Sequence, residues 1–219
     1  AILVGVTNLV FTILAIAFID RFGRKPLLIY GVSGIAICMF VLAYGFNSAT
    51  YQLTEENMAG ISMDIDKDQL STMIDVDYES DVEFKRAIKE SLGTVKAAEY
   101  ESELIKAGIN MNPTLILFGI LGFVASFAIS LGPVMWVLFS ELFPNRVRGL
   151  AISFVGLINS AVSFLVQLVF PWELDNFGNA TTFLIYGLFA VAGLVFILKM
   201  IPETKNKTLE ELEKELIRD

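Results

Sequence analysis

Outside the charged stretch 51–112 and the charged tail, three short segments interrupt largely uncharged sequence, and their residue types could form ion pairs that make and break. They are Asp20-Arg21-Phe22-Gly23-Arg24-Lys25, Ser140-Glu141 through Arg146 and Arg148, and Pro202-Glu203-Thr204-Lys205. Gly23 permits a tight turn. The mixed charges around it are too costly to place in lipid, so they lie at a surface and either pair or simply anchor there. Two polar side chains stand where nearly everything else is apolar: Trp136, shortly after Gly132-Pro133, and Asn159. An indole N–H in lipid needs a partner or an interface, and an amide needs a hydrogen bond, which a neighbouring helix can supply. Asn8 poses the same question. No apolar stretch combines a nucleophile with a base, a metal-ligand set or a carboxylate dyad, so nothing here points to an enzyme. With no histidine and a single cysteine, Cys38, no metal or cofactor is expected, and Cys38 reads as a small packing residue.

Five uncharged stretches, 1–19, 26–54, 110–140, 149–172 and 176–198, must position these residues. About 20 helical residues at ~1.5 Å rise cross a bilayer core of ~30 Å. Five such stretches among 219 residues cannot all be wrapped by protein. The fold class is therefore all-α, a polytopic membrane helix bundle with a polar insert. Spans are expected near 1–19, 26–46, 113–139, 150–170 and 180–200, with Pro26 in the first turn of the second. The third is longer than a straight perpendicular helix requires, and Gly132-Pro133 is the expected break.

The net charge of −8 sits entirely in residues 51–112, which hold 14 acidic and 6 basic residues. Lys and Arg otherwise gather at 21–25, 146–148 and 199–207, while Glu173 and Asp175 follow the fourth span without a base. Basic short loops stay cytoplasmic. This predicts the loop 20–26, the loop near 146 and the C-terminus inside, with the insert 47–112 and the loop 171–178 outside. Within the insert, Phe84, Ile88, Leu92 and Val95 keep helical spacing, interrupted by Gly93, which predicts two short helices or a bent one. Asp64-Ile65-Asp66-Lys67-Asp68 copies half of a calcium loop. However, Gln69 replaces its glycine and Asp75 its glutamate, so a solvated acidic segment is expected. Thr208, Leu209, Glu211, Leu212 and Leu216 predict a capped amphipathic tail helix over 202–219. The chain opens inside an apolar run without an initiator methionine and reads as a piece of a longer protein.

The ordered set Asp20-Arg21-Phe22-Gly23-Arg24-Lys25, Gly132-Pro133-Val134-Met135-Trp136, Ser140-Glu141-Leu142-Phe143-Pro144-Asn145-Arg146-Val147-Arg148-Gly149 and Pro202-Glu203-Thr204-Lys205 resembles the sugar porter family of the major facilitator superfamily. The match is to its C-terminal half, and Val4-Gly5-Val6-Thr7-Asn8-Leu9 looks most like the bacterial D-xylose:proton symporter branch. The resemblance implies that 1–46 holds transmembrane helices 8 and 9, 113–201 helices 10 to 12, and 202–219 a cytoplasmic tail. It implies a bacterial inner-membrane location and monosaccharide transport (a pentose or hexose such as xylose or glucose), with proton symport by alternating access. The partners it implies are the sugar, a proton, the bilayer and the N-terminal half of the same transporter, with no nucleic acid. Asp20, Arg24, Glu141, Arg148 and Glu203 match groups forming gating salt bridges at the cytoplasmic rim.

By the same resemblance Trp136 stacks on the sugar ring and Asn159 bonds its hydroxyls, with Asn8 a further candidate. Gly132 lets the sugar approach the backbone. A neutral amide offers donors and an acceptor to a neutral polyol without the desolvation cost of a charge. Ser160 stands where relatives carry tryptophan, so that wall of the pocket is smaller or filled differently. The insert is longer than the short loop the family pattern implies. The spans hold no carboxylate or histidine, so a proton-titrating group would lie outside this stretch. A membrane sugar sensor on the same fold and an uncoupled facilitative carrier are the alternatives.

Overall fold

The computed structural model describes residues 2–59, 70–207 and 211. Helices α1 (Ile2–Phe22) and α2 (Arg24–Asn47) lead into a small unit. This comprises β1 (Thr50–Gln52), α3 (Glu55–Ala59), β2 (Asp77–Tyr78), α4 (Asp81–Gly108) and β3 (Ile109–Asn110). Then follow α5 (Pro113–Ile129), α6 (Leu131–Leu142), α7 (Arg148–Asn176) and α8 (Gly178–Met200). Counting α5 and α6 as one broken span, the described residues contain 5 helices long and apolar enough to cross a membrane. The chain is a helical, multi-pass membrane protein.

The break in the third span falls at Ser130, with φ −124 and ψ −92, three residues before Pro133. Pro133 has no N–H to give the carbonyl of Ile129, so the helix loses continuity upstream of the proline rather than at it. Ser130 is fully buried, and its hydroxyl donates to the carbonyl of Ser126 at 2.6 Å, binding the break together. The fourth span differs from expectation. It continues to Asn176 with Pro171 inside it, so most of the expected loop 171–178 is helix. The Asn176 amide donates to the Trp172 carbonyl and the Phe177 N–H to that of Glu173, closing the last turn beyond the proline.

Helix α2 is the central post, flanked by α8 and α5. Backbones approach closely where side chains are small, as membrane packing favours. At Gly31 an added Cβ would overlap Ser130, and at Gly122 it would lie 2.7 Å from the Cys38 sulfur. Cys38 is thus a packing residue. Helix α7 is the opposite case: none of its residues is buried.

The insert folds into a compact unit with its own core. The strands pair antiparallel in the order β2-β1-β3, with Tyr51 opposite Tyr78 and Ile109. Tyr51, Leu53, Leu70, Met73, Phe84, Ile88, Leu92, Ala97 and Leu104 are buried together. Gly93, at φ 74 and ψ 164, breaks α4 and turns the second half about a new axis. Val95 consequently leaves the core, at 82% exposure, contrary to the spacing that grouped it with Phe84, and Ala97 and Leu104 take over the buried face. The calcium-like run 64–69 and the expected tail helix, except Glu211, lie outside the described residues. Asp75, also at a positive φ of 59, accompanies a bridge between Leu53 and Ile74.

Candidate functional site

The charged segments, far apart in sequence, meet at one end of the bundle. Arg24 opens α2 and Glu141 closes α6. The Arg24 Nη2 donates to Glu141 Oε1 at 2.6 Å and its Nε to both carboxylate oxygens at 3.1 Å. The side chains are 14% and 25% exposed, so water screens this pair little. Asp20, one turn back on α1, reaches Arg24 Nη1 at 3.5 Å but is 82% exposed, which makes that contact weak. Thr204, buried after α8, donates its hydroxyl to Glu141 Oε2 at 2.6 Å.

Glu203 acts on backbone rather than on a charge. Its carboxylate accepts from the N–H groups of Arg24 (3.1 Å) and Lys25 (3.2 Å), capping α2 from a distant part of the chain. Gly23 has no side-chain cap to offer, and at φ 93 a Cβ there would strike the Glu203 carboxylate. Negative charge at a helix N-terminus satisfies free N–H groups and opposes the helix dipole. Lys205 donates to the Arg21 carbonyl and Lys25 to that of Leu198, adding further ties.

Arg148 stands apart from this cluster. Its Nε donates to the Phe143 carbonyl at 3.1 Å, and its Nη2 is buried without a partner among the described residues. The structure therefore brings Asp20, Arg24, Glu141 and Glu203 together and leaves Arg148 out. Thr204 was missed because a hydroxyl carries no charge signal, although its place beside Glu203 in a short polar segment marked it.

Trp136 on α6 is 46% exposed and meets Phe139 edge-on at 6.1 Å. Its ring lies against α7 at Gly156, 3.9 Å from where a Cβ would stand. Asn159 is three residues further along α7 and exposed. Its side-chain amide has no hydrogen-bond partner among the described residues, so no neighbouring helix of this chain occupies it. Trp136 and Asn159 thus lie on adjoining helices with their polar atoms uncommitted. Asn8 is exposed on α1. Gly132 sits just past the break at Ser130, with Phe127 as its nearest neighbour. A cavity of about 290 Å³ lies elsewhere, in the α2–α8 seam near the insert, lined by Phe40, Tyr44, Asn47 and Thr181 among others.

At the insert end, Glu173 accepts the Tyr186 hydroxyl at 3.0 Å, linking α7 to α8. Both carboxylates first placed in a loop, Glu173 and Asp175, belong to the last turns of α7.

Comparison with known proteins places this geometry. The family model for sugar (and other) transporters matches residues 1–63 and 94–216. The D-xylose-proton symporter of Escherichia coli (strain K12) is 34% identical across 97% of this chain and 32% of its own length. The arabinose-proton symporter of Bacillus subtilis (strain 168) is 29% identical across 97% of this chain and 33% of its own. A solved structure of the proton:xylose symporter XylE bound to 6-bromo-6-deoxy-D-glucose is 32% identical, covers 98% of this chain and 34% of that chain, and superposes with a TM-score of 0.65. The chain spans about a third of the length of these relatives. The family model passes over residues 64–93, which lie within the insert. These relatives are transporters and not enzymes. The chain belongs to the sugar (and other) transporter family.

Proposed function

We propose that this chain forms the C-terminal part of a transporter that carries a monosaccharide, a pentose or hexose such as xylose or glucose, across a bacterial inner membrane by alternating access. The observation that carries the reading is an indole and an amide on adjoining helices, Trp136 and Asn159, uncommitted within an otherwise apolar bundle. An aromatic face suits the C–H face of a sugar ring, and a neutral amide suits its hydroxyls. The relatives named for xylose and arabinose support the same substrate class. Gly132, one turn before Trp136 on α6, and Asn8 on α1 are further candidates for the site.

On this reading the end holding Arg24, Glu141, Glu203 and Thr204 is the cytoplasmic rim, following the basic residues at Arg21, Arg24, Lys25 and Lys205. The insert 47–112 then faces outside and the C-terminus inside. The Arg24–Glu141 pair and the weaker Asp20 contact hold the ends of α1, α2 and α6 together while the cavity opens outward, and they separate for inward opening. Arg148, whose buried Nη2 has no partner among the described residues, is available to a partner from the remaining helices. Proton coupling follows the relatives' names, and its titrating group lies outside this chain's mid-membrane segments. The test is uptake of labelled xylose and glucose by the full-length protein in vesicles, with and without an inward proton gradient. Sugar uptake driven by the gradient is expected; uptake indifferent to it means a facilitative carrier.

A further inference from the structure

Helix α8 begins without a cap of its own: its N-cap residue, Phe177, offers no side-chain hydrogen bond. The cap comes from the insert. Asp81, the first residue of α4 and only 7% exposed, accepts from the Asn179 backbone N–H at 3.0 Å and from its side-chain amide at 2.7 Å, both on Oδ2. Asp81 is free to do so because Ser80 already caps α4, accepting from the Glu83 N–H. One turn along α4, Lys85, 13% exposed, donates to Asp175 at the end of α7 at 3.1 Å and is flanked by Glu101 at 3.9 Å. Gly178 between these contacts has a φ of +78, and a Cβ there would strike Asp81.

A buried carboxylate is costly unless donors meet it. Here both donors belong to Asn179, and the negative charge also opposes the α8 dipole. The arrangement matters because α7 has no buried residue to hold its place in the described chain. The end of α7 nearest the insert is fixed by Lys85, by the turn into α8 and by the Glu173–Tyr186 hydrogen bond instead.

We propose that the insert is a tether that caps α8 through Asp81 and anchors the outer end of α7 through Lys85, so that the insert and the α7–α8 turn form one unit. Asp81 and Lys85 are positioning residues. On the transporter reading, their consequence is to set the pose of the helix that carries Asn159; the tether itself stands independently of that reading.

The experiment is amide hydrogen exchange on the full-length transporter in lipid nanodiscs, compared between wild type, Asp81→Ala and Lys85→Ala. Asp81→Ala is expected to speed exchange of the first-turn amides of α8 by about fivefold, the usual scale of a lost N-cap. Exchange in the insert core at Phe84 and Ile88 should stay slow, which separates a lost tether from an unfolded insert. Lys85→Ala should act at residues 173–177 in the same way, and it provides the test if Asp81→Ala does not fold. Unchanged exchange at the α7–α8 turn in folded Asp81→Ala or Lys85→Ala protein overturns the tether. Because the readout does not involve uptake, a failure of sugar transport leaves it intact.

Discussion

Replacing Glu141 by Gln removes one charge while keeping the side chain's size and its contact with Thr204. In the structure Glu141 takes three hydrogen bonds from Arg24 at 2.6 to 3.1 Å, with both groups mostly shielded from water. Hydrogen bonds to charged groups contribute about 1.5–3 kcal/mol. The amide keeps part of this, so a loss of about 2 kcal/mol is a fair scale, which is roughly a 30-fold change in an equilibrium. If the pair holds the rim closed, Glu141→Gln shifts the balance toward rim-open molecules by that factor. Asp20→Asn is the internal control: its contact is long and exposed, and such pairs contribute about 0–1 kcal/mol. Spin labels at the exposed positions Arg21 and Asn145 would report the separation of the two turns. A second, longer distance should grow in Glu141→Gln and barely in Asp20→Asn, with uptake slowed in the first only. Equal effects of the two substitutions, or native distances and native uptake in Glu141→Gln, would refute the reasoning.

Trp136→Ala and Asn159→Ala should each raise the apparent KM for sugar at least tenfold while protein reaches the membrane at normal levels; an unchanged KM for both would remove them from the site. Gly178→Ala must adopt a positive φ and displace Asp81, so a lower thermal midpoint is expected, read by fluorescence in detergent. The Tyr51 phenol is pushed up to about 12, first by burial and then by the charge of Asp81. Its ordinary value is about 10, so the native state keeps a proton that the unfolded state releases between those values. Stability of the insert should be unaffected below pH 10 and fall from there toward 12, seen as faster unfolding in alkali. Tyr51→Phe should weaken that dependence, leaving a smaller part from Tyr78, which burial and Glu90 raise as well.

The spans were legible because lipid imposes a single requirement, long uncharged runs, and the break near Pro133 was legible because a missing N–H has only one place to act. The end of α7 was not. Pro171 and two carboxylates look like a loop in sequence, yet a helix end at the membrane surface tolerates both once side chains close the last turn. The sheet of the insert was also hidden: strands of two or three residues, such as Asp77–Tyr78, are too short to show alternation. Among the charged residues, sequence placed Arg24 and Glu141 in a common cluster through family resemblance, but it could not show that Glu203 caps a helix instead of pairing with a cation. That distinction depends on where the end of α8 meets the start of α2. Nor could it detach Arg148, whose spacing from Glu141 is compatible with a contact that the turn at Phe143 diverts.

Counterflow reaches the transport reading most directly. Vesicles containing the full-length protein are loaded with unlabelled xylose or glucose and diluted into a trace of labelled sugar. A carrier with Trp136 and Asn159 at its site predicts a transient overshoot of label inside, abolished by Trp136→Ala and strongly reduced by Asn159→Ala. Saturable sugar binding without any overshoot would instead describe a sensor, and an overshoot indifferent to both substitutions would place the sugar elsewhere.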